Sequence, residues 1–158
     1  MIKSQTPKPL AVVSPIHKAG RQMSLYLSKS LFDMDVAPGH GHLLTYVSIY
    51  GPCPVGELVR VFGYKKTSMT NVLNLLSDKG YIVRLLNPSD SRSLLIRTTP
   101  KGTRLAKSAR KVVENFDSQV TGKVTRADLR GFKKVMDALS QVTGVTIRET
   151  QKQSKKTK

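Results

Sequence analysis

The chain has 158 residues, 39% of them hydrophobic, which suffices for one ordinary folded domain and argues against global disorder. Its 27 Lys and Arg against 10 Asp and Glu leave a formal charge of +17, which points to a polyanionic partner such as nucleic acid or an acidic membrane surface. One cysteine makes no internal disulfide and no metal cluster, Leu10-Ala11-Val12-Val13 is too short for a secretion signal, and no apolar run approaches the ~20 residues of a membrane span, so a soluble cytoplasmic protein is expected.

Residues 1–13 carry Lys3, Pro7, Lys8 and Pro9 without helical period and read as a flexible basic arm. From Ser14-Pro15, the apolar positions Ile16, Met23, Leu27 and Met34 recur at helical spacing, and Ala37-Pro38-Gly39 is expected to end that first helix. A second helix holds Leu43, Leu44, Val47 and Tyr50 and closes at Gly51-Pro52. The segment PVGELVRVFG gives a short helix with Leu58, Val59 and Phe62 inward, stopped by Gly63. After a tight turn, Met69, Val72, Leu73 and Leu76 form the inward stripe of a helix over residues 66–79, stopped by Gly80.

The period then becomes two. Tyr81 to Leu86 and Ser93 to Thr98 are rich in Ile, Leu and Val, and the turn residues between them predict a β-hairpin whose polar tip spans residues 87–93. Thr99-Pro100 places an N-cap before a first-turn proline, and Leu105, Ala109, Val112, Val113, Phe116 and Val120 follow as a long helix to Gly122. Thr125 and Asp128 have capping-box spacing for a last helix with Leu129, Phe132, Met136 and Leu139. Residues 146–158 are lysine-rich without an apolar face and read as a disordered tail.

Two short helices around Gly63 followed at once by a hairpin make a winged helix-turn-helix, in which the second helix enters the major groove. The fold class is therefore mainly α with a small β-hairpin wing, and its winged head spans residues 38–102. On the face opposite the apolar stripe stand Lys66, Thr67, Ser68, Thr70, Asn71 and Asn74, preceded by Lys65. Asn pairs bidentately with adenine, Thr methyls pack on thymine methyls, and hydroxyls or lysines take phosphates. An ordinary solvated face carries such residues too. The charge favours the first reading: from Arg60 to Lys111 there are twelve Lys or Arg, Arg84 among them, against Asp78 and Asp90, a one-signed stretch able to displace counterions from a phosphate backbone. At the wing tip, Asp90, Ser91 and Arg92 suggest a carboxylate holding a guanidinium in one direction, aimed at a narrow minor groove. The alternative is a surface ion pair of small value.

From about Gly51 to Gly102 the sequence resembles the MarR family of bacterial transcriptional regulators, through ELVRVFG, LLSDKGYIVR, NPSDSRS and IRTTPKG. The most specific part is Asp90-x-Arg92 followed by Thr99-x-x-Gly102. The resemblance implies that residues 14–37 and 103–145 form a helical dimerisation region, that the homodimer binds a pseudo-palindromic double-stranded DNA site, and that the protein is a ligand-responsive repressor. It also implies a cleft for a small aromatic or phenolic effector, with His17, Arg21, His40, His42, Tyr46 and Tyr50 as candidate walls. Three positions depart from the family pattern: Asn71 replaces a basic residue, Pro54 replaces a hydroxyl cap, and Thr98 replaces a leucine.

Cys53 falls on a short apolar strand, away from the first helix where redox-sensing relatives carry their thiol, and is expected to be inert. His40 and His42 make half a metal site, and no other histidine follows to complete it, so no metal is expected. There is no Gly-rich phosphate loop and no Ser-His-Asp or Cys-His arrangement, so no catalytic residue and no cofactor are expected. The competing reading is a sequence-tolerant architectural DNA-binding protein, for which the charge and the basic ends suffice.

Overall fold

The computed structural model of the protein describes residues 8 and 10–144; most of the expected arm of residues 1–13 and the expected tail of residues 146–158 lie outside them. In chain order the elements are α1 (Val13–Ser30), a 3-10 turn (Phe32–Met34), α2 (Pro38–Tyr50), β1 (Cys53–Pro54), α3 (Val55–Phe62), α4 (Lys66–Asp78), β2 (Ile82–Asn87), β3 (Asp90–Thr98), α5 (Pro100–Thr121) and α6 (Arg126–Thr143). The three strands form one antiparallel sheet in the order β1-β3-β2, with Cys53 opposite Ile96, and Ile82, Arg84 and Leu86 opposite Thr98, Ile96 and Leu94.

Local chemistry explains most boundaries. Gly63 ends α3 at φ 64°, a left-handed conformation that costs a residue without a Cβ little, and so allows the tight turn into α4. At the start of α5, the Thr99 side chain accepts from the Gly102 amide, and Pro100 occupies the first turn, where its missing N–H is no loss. The capping box of α6 is formed in full: Asp128 N–H donates to Thr125 Oγ1 at 3.2 Å, and Thr125 N–H donates to Asp128 Oδ2 at 2.8 Å. Pro54 precedes α3 without any side-chain cap, in line with the hydroxyl that the sequence lacks there.

The first helix is shorter than its apolar spacing suggests. It stops at Ser30, and Met34 belongs to the 3-10 turn, after which Asp35 adopts a left-handed φ of 50°. Pro38 does not end a helix but opens one, as the first residue of α2. The turn is held from outside the segment: Lys79 Nζ donates to Asp35 Oδ2 at 2.6 Å and to the Asp35 carbonyl at 3.1 Å.

The core gathers Leu31, Leu43, Leu44, Val47, Leu58, Met69, Leu73, Leu76, Ile82 and Ile96, so that α2, α3, α4 and the sheet share one apolar centre. Outside it, α6 has no buried residue at all, and Ile16, Met23, Val113, Val120, Leu129 and Phe132 are exposed along α1, α5 and α6. An amphipathic helix gains most of its stability by packing its apolar face, and α6 finds no such partner among the described residues.

Candidate nucleic-acid interface

α4 turns Met69, Leu73 and Leu76 into the core, which leaves Lys65, Lys66, Thr67, Ser68, Thr70, Asn71 and Asn74 exposed. No side chain caps the start of α4, so its first-turn N–H groups are open to an outside acceptor beside two lysines, an arrangement suited to a phosphate. Thr70 Oγ1 donates to the Lys66 carbonyl at 2.9 Å, so toward a ligand it offers its lone pairs and its methyl group.

Helix and wing are tied together. The Arg84 guanidinium on β2 donates to Asn74 Oδ1 at 2.5 Å, an exposed contact that fixes one face of the hairpin beside the outward surface of α4. This occupies one lone pair of the Asn74 carbonyl and leaves its second lone pair and its two N–H donors. Neither residue type nor spacing announced this pairing, which depends on how the hairpin folds back over α4.

The wing tip is a two-residue turn at Pro88 and Ser89. Asn87 Oδ1 accepts from the Ser89 amide at 3.0 Å, Asn87 Nδ2 donates to Ser93 Oγ at 2.8 Å, and Ser93 Oγ donates to the Asp90 carbonyl at 3.1 Å. Asp90 does not grip the Arg92 guanidinium; its Oδ1 accepts from the Arg92 backbone N–H at 3.0 Å. A carboxylate two residues before an amide in a turn closes this short ring more easily than it reaches the end of a long side chain. Asp90 therefore stiffens the turn, and Ser91 and Arg92 are presented, exposed, from a braced base.

The head is also locked to α5. Thr99 N–H donates to the Tyr81 carbonyl at 3.0 Å and Thr99 Oγ1 donates to the Gly80 carbonyl at 2.7 Å. Gly102 lies so close that a Cβ built there would overlap the Tyr81 carbonyl. The Thr99-x-x-Gly102 spacing thus does more than cap a helix: it joins the end of α4 to the start of α5.

The six cleft candidates separate in space. A cleft of ≈ 840 Å³ opens between α1, α2 and α5, lined among others by Met23, Leu27, His42, Thr45, Val113 and Glu114. His42 is the one of the six that lines it. His17 and Arg21 are exposed on α1. His40 is half-buried, and desolvation, followed by the charge of Lys79, lowers its pKa below the ordinary 6.5. Desolvation also lowers the pKa of His42, whose ring meets Phe62 edge-on at 5.1 Å. Tyr46 and Tyr50 pack together at 4.7 Å, and the Tyr46 hydroxyl donates to Glu57 Oε1 at 2.6 Å. Desolvation and that bond push Tyr46 up to about 12. His42, Tyr46 and Tyr50 follow one another at four-residue spacing on the side of α2 that meets Phe62 of α3, and of the three His42 also lines the cleft, while Thr45 faces α5 and donates to the Ala106 carbonyl at 3.3 Å.

Cys53 is buried in β1, where burial first and the Glu57 charge second push its thiol up to about 11. A thiol so raised holds little thiolate near neutral pH and is a poor nucleophile. Among the described residues, no three His, Cys, Asp or Glu side chains gather as a metal-binding group, and no helix is long and apolar enough to cross a membrane.

A polar, basic helix surface braced beside a basic hairpin, above a helical base, defines a winged helix-turn-helix DNA-binding protein. A model of the MarR family matches residues 33–93, so the winged part of the chain is similar to that family. The HTH-type transcriptional regulator BilQ of Clostridioides difficile is 21% identical over 122 residues, covering 77% of this chain and 82% of that protein. An HTH-type transcriptional repressor of Mycobacterium bovis is 35% identical over 83 residues, covering 52% of this chain and 60% of its own length. The chain therefore matches less than two thirds of that repressor. Among solved structures, S. aureus MepR in complex with DNA matches with a TM-score of 0.78 at 16% identity, over 84% of this chain and 99% of that one. A mutant of Escherichia coli MarR complexed with operator DNA matches with a TM-score of 0.72 at 21% identity, over 78% and 89%. At such identities the two structures establish the shared fold.

Proposed function

We propose that the protein is a homodimeric, effector-responsive repressor that places α4 in the major groove and the wing at the minor groove of a pseudo-palindromic site. The observation that carries this reading is the Arg84–Asn74 contact, which makes the outward face of α4 and one face of the hairpin a single continuous surface with no acidic side chain on α4 except Asp78 at its far end. On that surface Asn71 is the base reader, Lys65, Lys66 and Ser68 take phosphates, Thr67 and Thr70 offer methyl groups to thymine, and Asn74 positions Arg84. Replacing Asn71 by Ala is expected to lower the discrimination between operator and scrambled DNA by about 1–3 kcal/mol; an equal loss on both duplexes would reduce Asn71 to a phosphate contact.

The dimer reading is supported by the exposed apolar residues of α1, α5 and α6. Two heads related by a two-fold axis would meet half-sites roughly 34–36 Å apart. Phe132, 61% exposed on α6, is a sensitive probe of that base. Phe132→Glu is expected to convert the dimer to monomer in sedimentation at micromolar concentration and to abolish cooperative binding to the two half-sites. A variant still dimeric with unchanged binding would remove α6 from the interface.

The cleft between α1, α2 and α5 is the seat we assign to a small aromatic or phenolic effector. Its position between the base and the head lets an occupant favour one spacing of the two reading helices over another, which requires different affinity for the two states.

The test of the whole reading is binding to DNA from upstream of its own gene and to a scrambled duplex, followed by fluorescence anisotropy across a salt series. A regulator prefers its site by ~10³-fold or more. The +17 charge alone would also support sequence-tolerant, architectural binding, and equal, steeply salt-dependent affinity for both duplexes would establish that instead.

A further inference from the structure

Leu86 and Leu94 face each other across β2 and β3, yet they are 73% and 39% exposed. Their strand face is the one that carries Ile82 and Ile96, both buried, at its inner end. At its outer end Leu86 stands largely open and Leu94 partly so. Directly opposed residues of an antiparallel pair lie close enough for their side chains to touch, so the two form one apolar ridge. β2 is an edge strand of the sheet, and soluble proteins normally keep large apolar side chains off such an edge.

The same strand face says what the ridge meets. Arg84 stands two residues before Leu86 on β2 and reaches Asn74 on the outward surface of α4, so ridge and recognition surface look the same way. Arg84 lies inboard of the leucines, and Arg92 lies beyond them toward the tip. Asp90, the acid closest in sequence, has a carboxylate oxygen engaged by the Arg92 amide. An apolar ridge bracketed by two cations complements the wall of a DNA minor groove, where deoxyribose carbons run between rows of phosphates. Leucine is among the side chains that minor-groove binders use as apolar wedges.

We propose that the Leu86–Leu94 ridge packs against the deoxyribose wall of the minor groove beside the wing, adding a contact that depends on apolar burial and not on counterion release. The inference rests on the placement of the wing given under Proposed function. It assigns to the hairpin a role besides that of its arginines: the leucines supply salt-insensitive affinity, and sugars carry no base identity, so they supply it on any sequence.

The test is Leu86→Ser, Leu94→Ser and the double variant in the full chain, measured by anisotropy on native upstream DNA and on a scrambled duplex at several salt concentrations. The double variant is expected to lose roughly tenfold in affinity on both duplexes, with the slope of log affinity against log salt unchanged. Arg84→Gln, in contrast, is expected to reduce that slope by about one. Leu86→Met with Leu94→Met keeps the apolar area and is expected to bind as the parent does, which separates the contact from any effect of the serines on folding. Unchanged affinity in the serine double variant with parental thermal unfolding would overturn the proposal. So would a change of self-association in the DNA-free chain with DNA affinity intact, which would assign the ridge to a second copy. A parent chain without preference for the native fragment would sink the operator reading alone, since the leucine effect is read equally on scrambled DNA.

Discussion

Arg92→Ala is expected to cost about 1–3 kcal/mol of operator affinity for each wing engaged, and in a two-fold dimer both wings lose their contact. The fold leaves little room for compensation. The turn beneath Arg92 is braced by the Asp90 carboxylate on the Arg92 amide and by the linked Asn87 and Ser93 side chains, so the guanidinium is presented from a base that does not readjust. The braced backbone lowers the entropy lost when the side chain orders on DNA. Arg92 is exposed and makes no core contact, so thermal unfolding should not move. Anisotropy at matched salt decides it, and affinity equal to that of the parent would take the wing tip out of the mechanism.

Gly102→Ala is expected to destabilise the fold by about 3 kcal/mol, at the upper end of the range for overpacked sites. The new methyl group would overlap the Tyr81 carbonyl, whose carbon lies 2.8 Å from the ideal Cβ position. Both sides of that clash are backbone, so no side chain can rotate away. The Tyr81 carbonyl is also the acceptor of the Thr99 amide, and moving it would loosen the joint between α4 and α5. Against a total stability of about 5–15 kcal/mol this is a large fraction, and the melting temperature should fall by roughly 6–12 °C. Circular dichroism at fixed protein concentration measures it, since dimerisation would couple stability to concentration. A shift under about 2 °C would mean that α5 can slide without cost, contrary to the close approach described here.

The two variants probe different ranges of the chain. Arg92 stands out in the sequence by its wing position, its sign and its spacing from Asp90, and its bracing uses partners within six residues. Gly102 belonged to a recognisable spacing, but the reason for a glycine there is a carbonyl 21 positions away. The same contrast separates the wing tip, where an Asx-type turn forms from neighbours, from the Arg84–Asn74 contact, where two elements must first pack. Asp90 shows how a local signal can be read with the wrong partner: the acid and the arginine were both visible, but the shorter ring to the amide took the carboxylate.

What the amino-acid order determined by itself is everything set by bonds of short range. The change from helical to alternating period, the left-handed stop at Gly63, the Thr99 cap and the Thr125–Asp128 box each depend on residues within a turn of one another, so they are written in consecutive letters. Only the tertiary structure decided where α1 breaks, because Asp35 is held by Lys79 from 44 positions away. It also decided which side of α2 lines the cleft and how the wing leans on α4. Those choices are made by the packing of whole faces, in which many weak contacts are weighed together and no single residue pattern announces the outcome.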